Sequence, residues 1–187
     1  LKLKFVPLYF MEDFLSIKKN NPNYKDRDYF IISKGHSAMG AYPILADIGY
    51  FKKKELEKYG KPNGILRIYG DKSIPGVECS TGSLSQAPGI AAGICYHNKI
   101  KKRKNKCYVI ISDGENYEGS IWETAMFASN YKLDNLIVII DRNKQIILGV
   151  NSFCQHFANP FCYIKKPYHT ILPTRFSCPI LNLLHSV

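Results

Sequence analysis

The chain has 187 residues, which suits one α/β domain with a buried core and is too short for two full domains. No stretch approaches the roughly 18 to 20 consecutive apolar residues that a membrane helix needs, so we expect no membrane partner. The formal net charge of +11 suits an anionic cofactor and also suits nucleic acid, so charge alone does not choose between them.

The beginning of the chain and its cysteines bear on the cellular location. The start, LKLKFVPLYFMEDF, lacks an initiating Met, is interrupted by Glu12 and Asp13, and has no small-residue cleavage site after it. We interpret it as mature sequence of a fragment, not as a signal peptide. None of the six cysteines forms a Cys-x-x-Cys pair, which argues against a zinc ribbon. Cys95 and Cys107 fall in apolar patterns, which predicts buried reduced thiols and a cytoplasmic location.

The first part of the chain predicts short helices around one strand. The run YFIIS at 29–33 is rich in aromatic and β-branched residues and predicts a strand with the polar tip Lys34-Gly35-His36-Ser37. Pro43 is tolerated only in the first turn of a helix, and Gly49 is a natural helix end. Helices are predicted over residues 9–18, 38–50 and 52–59.

The second part alternates helices with strands. Small residues predict a loop at 80–83 and a helix over 86–95, whose start offers amide donors to an anion. An apolar strand begins at Cys107, a helix spans 118–131 with Gly119 or Ser120 as its cap, and a second strand ends at Asp141. We therefore predict an α/β fold, with a doubly wound, mainly parallel sheet and helices on both faces.

Two oxygen-bearing side chains follow the two later strands. Asp113 comes directly after the strand from Cys107, and Asn143 follows the strand that ends at Asp141. Ligands bind at the carboxyl edge of such sheets, and carboxylate and amide oxygens suit a hard cation such as Mg²⁺. The sequence therefore predicts a site for a metal ion and a diphosphate at this edge.

These residues also carry a family resemblance. The run SDGENYEGSIWE, followed by YKLDNLIVIIDRNKQIILG, resembles the thiamine-diphosphate motif of transketolases, which begins Gly-Asp-Gly and closes on an Asn. Ser112 departs from that motif at its first glycine, which leaves the tightness of the turn open. The resemblance covers roughly residues 26–149 and is closest to the amino-terminal subunit of split, two-subunit transketolases.

The resemblance implies a set of site residues. The metal ligands would be Asp113, Asn143 and the main-chain carbonyl of Gln145, while Gly114 would let the backbone approach the diphosphate. His36, within SKGHS, resembles the family histidine that faces both cofactor and substrate and would be catalytic. Glu118 resembles the glutamate that crosses the dimer interface to meet its partner's catalytic glutamate, and it would also contact the cofactor. The remaining cofactor contacts would be Gly82, Ser83 and Leu84 in the TGSL loop, together with Asn143.

Each of these features also has a purely structural interpretation. Asp113-Gly114 is a common turn pair, and a lone histidine at a strand end is often a surface or capping residue. Glu118 suits the start of a helix because the helix dipole favours an acid there. The basic run KIKKRKNK at 99–106 is typical of a solvated surface turn, so we do not expect nucleic acid binding.

Several parts of the family pattern are missing. The segment between Arg67 and Pro75 lacks the Gly-His-Pro motif, and the amino-terminal GHxGG-like segment and the pyrimidine-binding domain are absent. We assign residues 1–150 to the diphosphate-binding domain, truncated at its start. Residues 151–187 form a proline- and cysteine-containing tail that does not match the family.

The sequence thus predicts one subunit of a transketolase-like enzyme that uses thiamine diphosphate and Mg²⁺. With a pyrimidine-binding partner subunit, in an oligomer, it would transfer a two-carbon ketol unit between sugar phosphates. Alone we expect it to be inactive. Two alternatives stay open: another thiamine-diphosphate enzyme, of the deoxyxylulose-phosphate synthase or dehydrogenase E1 type, and a degenerate, non-catalytic binding protein.

Overall fold

The structure is a computed structural model that describes residues 15–141 and the short strand segments 145–146, 149–150 and 169–172. Most of the helix predicted at 9–18 lies outside these residues, and its described end at 15–18 is not helical. Asn143 also lies outside them.

A mainly parallel sheet organises the fold. The strands are β1 Tyr29–Ile32, β2 Cys107–Ser112, β3 Leu136–Asp141, β4 Gln145–Ile146, β5 Gly149–Val150 and β6 His169–Leu172. Strands β1 and β2 pair in parallel, as do β2 and β3, while β6 joins the other side of β3 antiparallel, giving the order β1-β2-β3-β6. A separate antiparallel pair is formed by β4 and β5. The predicted α/β class with a mainly parallel sheet is confirmed.

The helices fall close to their predicted places but differ in type and length. The region predicted as one helix at 38–50 contains the end of a 3₁₀ helix and then the α-helix Tyr42–Asp47, called α1. The α-helix starts there because Pro43 fits only the first turn of an α-helix. Gly49 follows α1 with a φ of 83°, in the left-handed region that favours glycine. The α-helices are α1 Tyr42–Asp47, α2 Gln86–Ile100 and α3 Gly119–Asn130, and the 3₁₀ helices are Gly35–Gly40, Lys53–Lys58 and Gly114–Tyr117.

Hydrophobic cores lie on both faces of the sheet. On one face Phe30 and Ile110 pack with α1, and on the other Ile31 and Val109 pack with α2 and Ala128 of α3. Successive residues of a strand point to opposite faces, so strands covered on both sides need continuous apolar runs, as YFII and CYVII provide. The predicted helices on both faces are confirmed.

The remaining sequence features also take recognisable places. Residues 101–106 form an exposed turn between α2 and β2, apart from the buried Asn105, as the interpretation of the basic run as a solvated turn predicted. Cys95 and Cys107 are fully buried free thiols, which confirms the predicted burial of both side chains. Across the part of the chain that the structure describes, no helix has the length and apolar character to cross a bilayer.

Tyr42 links α1 to the segment before the predicted cofactor loop. Its buried hydroxyl donates to the carbonyl of Arg67 at 2.9 Å. Burial raises the pKa of Tyr42 to about 12, and the neighbouring Tyr59 adds to the rise. The neutral phenol is therefore the form that the fold stabilises.

This pKa predicts a loss of stability at high pH that Tyr42→Phe removes. Because the folded pKa lies above the unfolded value near 10, the phenol's contribution is complete below about pH 10 and is lost as the pH rises towards about 12. Between these limits the free energy of unfolding should fall by about 1 to 2 kcal/mol more in the native chain than in the variant. Urea unfolding across this pH range measures the difference, and parallel curves for the two proteins would contradict it.

Candidate functional site

Three strand ends meet at one edge of the sheet. Ser112, the last residue of β2, pairs with Asp141, the last residue of β3, and the amide of Asp113 donates to the Asp141 carbonyl at 3.3 Å. On the other side of β2, the Ser33 amide donates to the Ile110 carbonyl at 2.8 Å. This is the edge at which α/β sheets bind ligands.

Asp113 lies at the centre of this edge and is fully buried. Its Oδ1 accepts a hydrogen bond from the Gly114 amide at 3.1 Å and caps the 3₁₀ helix Gly114–Tyr117, while its carbonyl accepts from Asn116 at 3.1 Å. Asp113 thus forms the turn that the structural interpretation predicted. This does not exclude metal binding, because a carboxylate has about four lone-pair sites on two oxygens.

Glu115, to which sequence reasoning assigned no role, is also fully buried at this edge. Its Oε1 accepts hydrogen bonds from the Ser33 hydroxyl and from the Ser85 amide, the latter at 2.7 Å. Its Oε2 accepts from the amide and hydroxyl of Ser112 at 2.6 and 3.0 Å. The pattern Ser-x-x-Glu over residues 112–115 is the signal that should have revealed this local pair.

The Ser112–Glu115 pair explains the serine that stands where the transketolase motif has glycine. A hydroxyl at residue 112 gains a carboxylate acceptor three residues later, so the turn closes on itself. The departure from the motif therefore does not open the turn in this chain.

One backbone amide at the start of α2 is already bound to an acid of the protein itself. Ser85, the N-cap of α2, is buried with a left-handed backbone at φ 67°, and its amide already binds Glu115. The anion at this helix start is therefore the protein's own carboxylate. A bound diphosphate would have to contact the exposed loop before it.

The loop with Gly82, Ser83 and Leu84 lies directly against the tip of β1. A Cβ placed on Gly35 would lie 2.7 Å from the carbonyl oxygen of Thr81 and 3.0 Å from the amide nitrogen of Gly82. His36 follows Gly35 and is exposed, as are the three predicted loop residues. The structure thus brings His36 and the TGSL loop together and leaves both open to a ligand.

Ion pairs hold both of these segments in place. Lys34, after β1, pairs with Asp141 at the end of β3, and so spans β2. Arg27, just before β1, binds Glu78 through both guanidinium nitrogens, and this fixes the chain leading to Thr81. Burial raises the pKa of Glu78, although Arg27 opposes the rise. Neither pair is predictable from spacing, because their partners are distant in sequence.

Glu118 is exposed at the start of α3. Its backbone forms the N-cap, so the acid lies at the helix start as the structural interpretation predicted, where the helix dipole favours it although its side chain makes no capping hydrogen bond. The predicted caps Gly119 and Ser120 are wrong, because both residues lie inside α3, and the Ser120 hydroxyl binds the hydroxyl of Ser85 at 2.5 Å. Trp122 donates to the Asn116 carbonyl at 3.0 Å and anchors α3 beside the Asp113 turn.

The structure describes only some of the remaining predicted site residues. Gly114 is half-buried beside Asp113. Gln145 lies in β4, and Asn143 is outside the described residues. Within the ranges that the structure describes, no group of three or more His, Cys, Asp or Glu side chains is placed to hold a metal ion.

The segment between Arg67 and Pro75, where the family's Gly-His-Pro motif is expected, lies against the TGSL loop. The Gly70 carbonyl accepts from the Thr81 amide at 2.9 Å. Tyr69 is half exposed, and its ring lies 3.9 Å from where a Cβ on Gly82 would be. A tyrosine, not a histidine, therefore borders the loop here.

Comparison with known proteins places this arrangement in a family. Residues 6–161 match the family model described as "Transketolase, thiamine diphosphate binding domain". The chain belongs to the transketolase family and carries its thiamine diphosphate binding domain.

Among its relatives are proteins named as transketolase subunits. The chain is 37% identical over 142 residues to one subunit of the apulose-4-phosphate transketolase of Phocaeicola vulgatus, covering 76% of this chain and 50% of the relative. It is 38% identical over 143 residues to the 6-deoxy-6-sulfo-D-fructose transketolase subunit SqwG of a Clostridium species, covering 76% and 51%. The chain thus spans about half the length of these relatives.

Solved structures show the same fold. The transketolase of Leishmania mexicana matches with a TM-score of 0.72 and 26% identity, covering 78% of this chain and 23% of that chain. The Campylobacter jejuni transketolase matches with a TM-score of 0.71 and 27% identity, covering 78% and 25%.

The contact between Gly35 and Thr81 predicts that Gly35→Ala destabilises the site. The new methyl group would meet backbone atoms that cannot rotate away, so the free energy of unfolding should fall by about 1 to 3 kcal/mol. Gly93→Ala is the matched control, because a Cβ there has nothing within 4 Å. That control should gain about 0.5 to 1 kcal/mol from its helical position in α2. Denaturant unfolding measures both, and equal effects would contradict the close contact.

Proposed function

We propose that this chain supplies the diphosphate and metal half of a thiamine diphosphate site in a two-subunit transketolase. The enzyme would transfer a two-carbon ketol unit between sugar phosphates. The observation that carries the proposal is the convergence of His36, the TGSL loop and the buried Asp113 at one sheet edge.

The residues present fit the cofactor chemically. A fully buried carboxylate at Asp113 is a hard ligand for Mg²⁺, which usually shares its coordination with phosphate oxygens. The exposed Gly82-Ser83 backbone leaves room for a diphosphate to approach closely. Asn143 and the Gln145 carbonyl would complete the protein ligands, and Gly114 would lie beside the diphosphate.

The chain's own groups would bind and orient the reactants. Thiamine diphosphate, when bound, supplies the carbon nucleophile. His36 is exposed beside the TGSL loop and would donate a hydrogen bond to a phosphate or sugar hydroxyl, or carry a proton. Leu84, exposed at the same loop, would contact the cofactor. Glu118, exposed at the start of α3, would meet a group from another subunit.

The outer face of α3 supports the need for a partner. Ala128 is the one buried residue among the twelve of this helix. Met126 is 66% exposed, and Phe127 and Tyr131 beside it are also exposed. Exposed apolar side chains of this kind suit an interface. Because Glu118 is the N-cap of this helix, a subunit covering α3 would also reach the cofactor site and complete it with its pyrimidine-binding domain.

One observation favours a second candidate. Tyr69 occupies the segment where the Gly-His-Pro histidine would stand, so one sugar-recognition feature is replaced. This supports another thiamine diphosphate enzyme, such as a deoxyxylulose-phosphate synthase or a dehydrogenase of the E1 type, with the same cofactor site and a different substrate. Product analysis separates the two candidate functions: one assay supplies a ketose phosphate and an aldose acceptor, and the other supplies pyruvate or another 2-oxo acid.

The metal assignment predicts the effect of Asp113→Asn. Loss of the charged ligand should weaken Mg²⁺-dependent binding of thiamine diphosphate by at least about 100-fold, since even residues behind a metal ligand contribute 10- to 100-fold. Asp134→Asn, at an exposed acid, should bind as the native chain does. Titration calorimetry with and without Mg²⁺, in the presence of the pyrimidine-binding subunit of the same organism, measures both. Equal affinity for the Asp113 variant and the native chain would remove Asp113 from the metal site.

The interface assignment predicts the effect of Met126→Lys. A buried charge in an apolar contact is costly, so association with the pyrimidine-binding subunit of the same organism should be lost. Ile100→Lys is the matched control, because Ile100 is 60% exposed at the end of α2 that lies farthest from Ser85. Sedimentation velocity of each variant mixed with that subunit tests the claim. Native association of the Met126 variant would place the interface elsewhere.

A further inference from the structure

We infer that Glu115 is a positioning residue that fixes the geometry of the proposed cofactor site through three segments at once. The expected effect on cofactor binding rests on the proposed function, whereas the contacts of Glu115 are independent of it. Glu115 is fully buried, and its carboxylate receives four hydrogen bonds from Ser33, Ser85 and Ser112.

Each of these three partners borders a group of proposed site residues. Ser33 lies just before Gly35 and His36, and Ser85 directly follows Leu84. Ser112 directly precedes Asp113. A single carboxylate therefore sets the distances between the histidine, the TGSL loop and the metal ligand, and it does so through their neighbours in the chain.

The chemistry of the contacts requires a carboxylate at residue 115. Oε1 faces the Ser85 amide and Oε2 faces the Ser112 amide, so each oxygen meets a backbone N–H that can only donate. An ionised carboxylate accepts on both oxygens, whereas a glutamine amide offers one acceptor and one donor group. In Glu115→Gln, either orientation of the amide therefore sets a donor against a buried backbone donor.

The position of the charge also favours this arrangement. Ser85 caps α2, a 15-residue helix, and the positive end of its dipole stabilises a negative group there. A buried carboxylate without hydrogen bonds would be strongly unfavourable, and here four donors and the helix start offset that cost. Separating the three segments would leave the carboxylate buried without its donors, so this interaction holds them together.

Glu115→Gln in the full chain tests the inference with two readouts. Without any ligand, amide hydrogen exchange should become about 10- to 100-fold faster in all three segments, 33–36, 82–85 and 112–114, because the variant leaves a buried donor unpaired. By titration calorimetry with Mg²⁺ and the pyrimidine-binding subunit of the same organism, the folded variant should bind thiamine diphosphate about 10- to 100-fold more weakly.

Two controls separate positioning from general loss of stability. Leu136→Ala removes a fully buried side chain at the opposite end of the sheet and should lower the free energy of unfolding without changing cofactor affinity. Glu123→Gln, at an exposed acid of α3, should leave both readouts unchanged. If the glutamine variant does not fold, Ser112→Ala removes one hydroxyl donor and should produce a smaller change of the same kind.

The outcomes distinguish this inference from the proposed function. Faster exchange confined to 112–114, or native affinity in a folded Glu115→Gln chain, would overturn the positioning role. If instead the native chain mixed with the pyrimidine-binding subunit binds no thiamine diphosphate while Glu115→Gln loosens all three segments, the positioning of the loops stands and the proposed function fails.

Discussion

Three segments of the chain meet at the buried carboxylate of Glu115, and the arrangement of the strand tips depends on that contact. The tips of β1 and β2 are already adjacent because the strands pair, but strand pairing does not position the loop before α2. The Ser85 amide reaches the same carboxylate and thereby brings the TGSL loop to the sheet edge. The close contact of Gly35 with Thr81 then leaves no space between the two loops.

The same edge carries a second constraint, which is electrostatic. Asp113 and Glu115 are both fully buried acids two residues apart, and each has backbone or hydroxyl donors around it. Lys34 faces Asp141 across β2 and adds a positive group to this acidic region. A divalent cation at Asp113 would add further positive charge where acids are concentrated, which suits the metal and diphosphate pair that we propose.

The outer face of α3 supports the partner subunit that we propose. The chain spans about half the length of its subunit relatives, and this face remains uncovered in the part of the chain that the structure describes. The proposed cofactor residues lie at the border between this face and the sheet edge. Completion of the site would therefore coincide with binding of the partner.

Some of this architecture was predictable from the sequence, and the reasons are physical. The strands at Cys107 and Leu136 are continuous apolar runs, and strand tips in an α/β sheet share one edge, so the location of Asp113 followed. The partners of Glu115 did not follow, because Ser33 lies 82 residues away and only folding brings them together. The start of α2 was assigned to a bound anion for the same reason: the donors were visible in the sequence and the internal acceptor was not.

Other differences arise from packing and from the pairing of segments that are distant in sequence. The 3₁₀ helix at Lys53–Lys58 has the charge pattern of an α-helix but buries none of its residues, so packing does not favour the longer form. The strand β6 at His169–Leu172 is four residues long and pairs with β3, which lies far from it in the sequence. Sequence periodicity does not predict such a pairing. The division of the chain at residue 150 stays a prediction.

A diffraction measurement on crystals of the full chain grown with thiamine diphosphate, with Mn²⁺ in place of Mg²⁺, tests the central claim most directly. Our account predicts an anomalous manganese peak about 2.1 Å from an Asp113 carboxylate oxygen, with the diphosphate between that ion and the Gly82-Ser83 backbone. A diphosphate bound away from this edge, or a manganese peak on other acids with Asp113 uncoordinated, would contradict it.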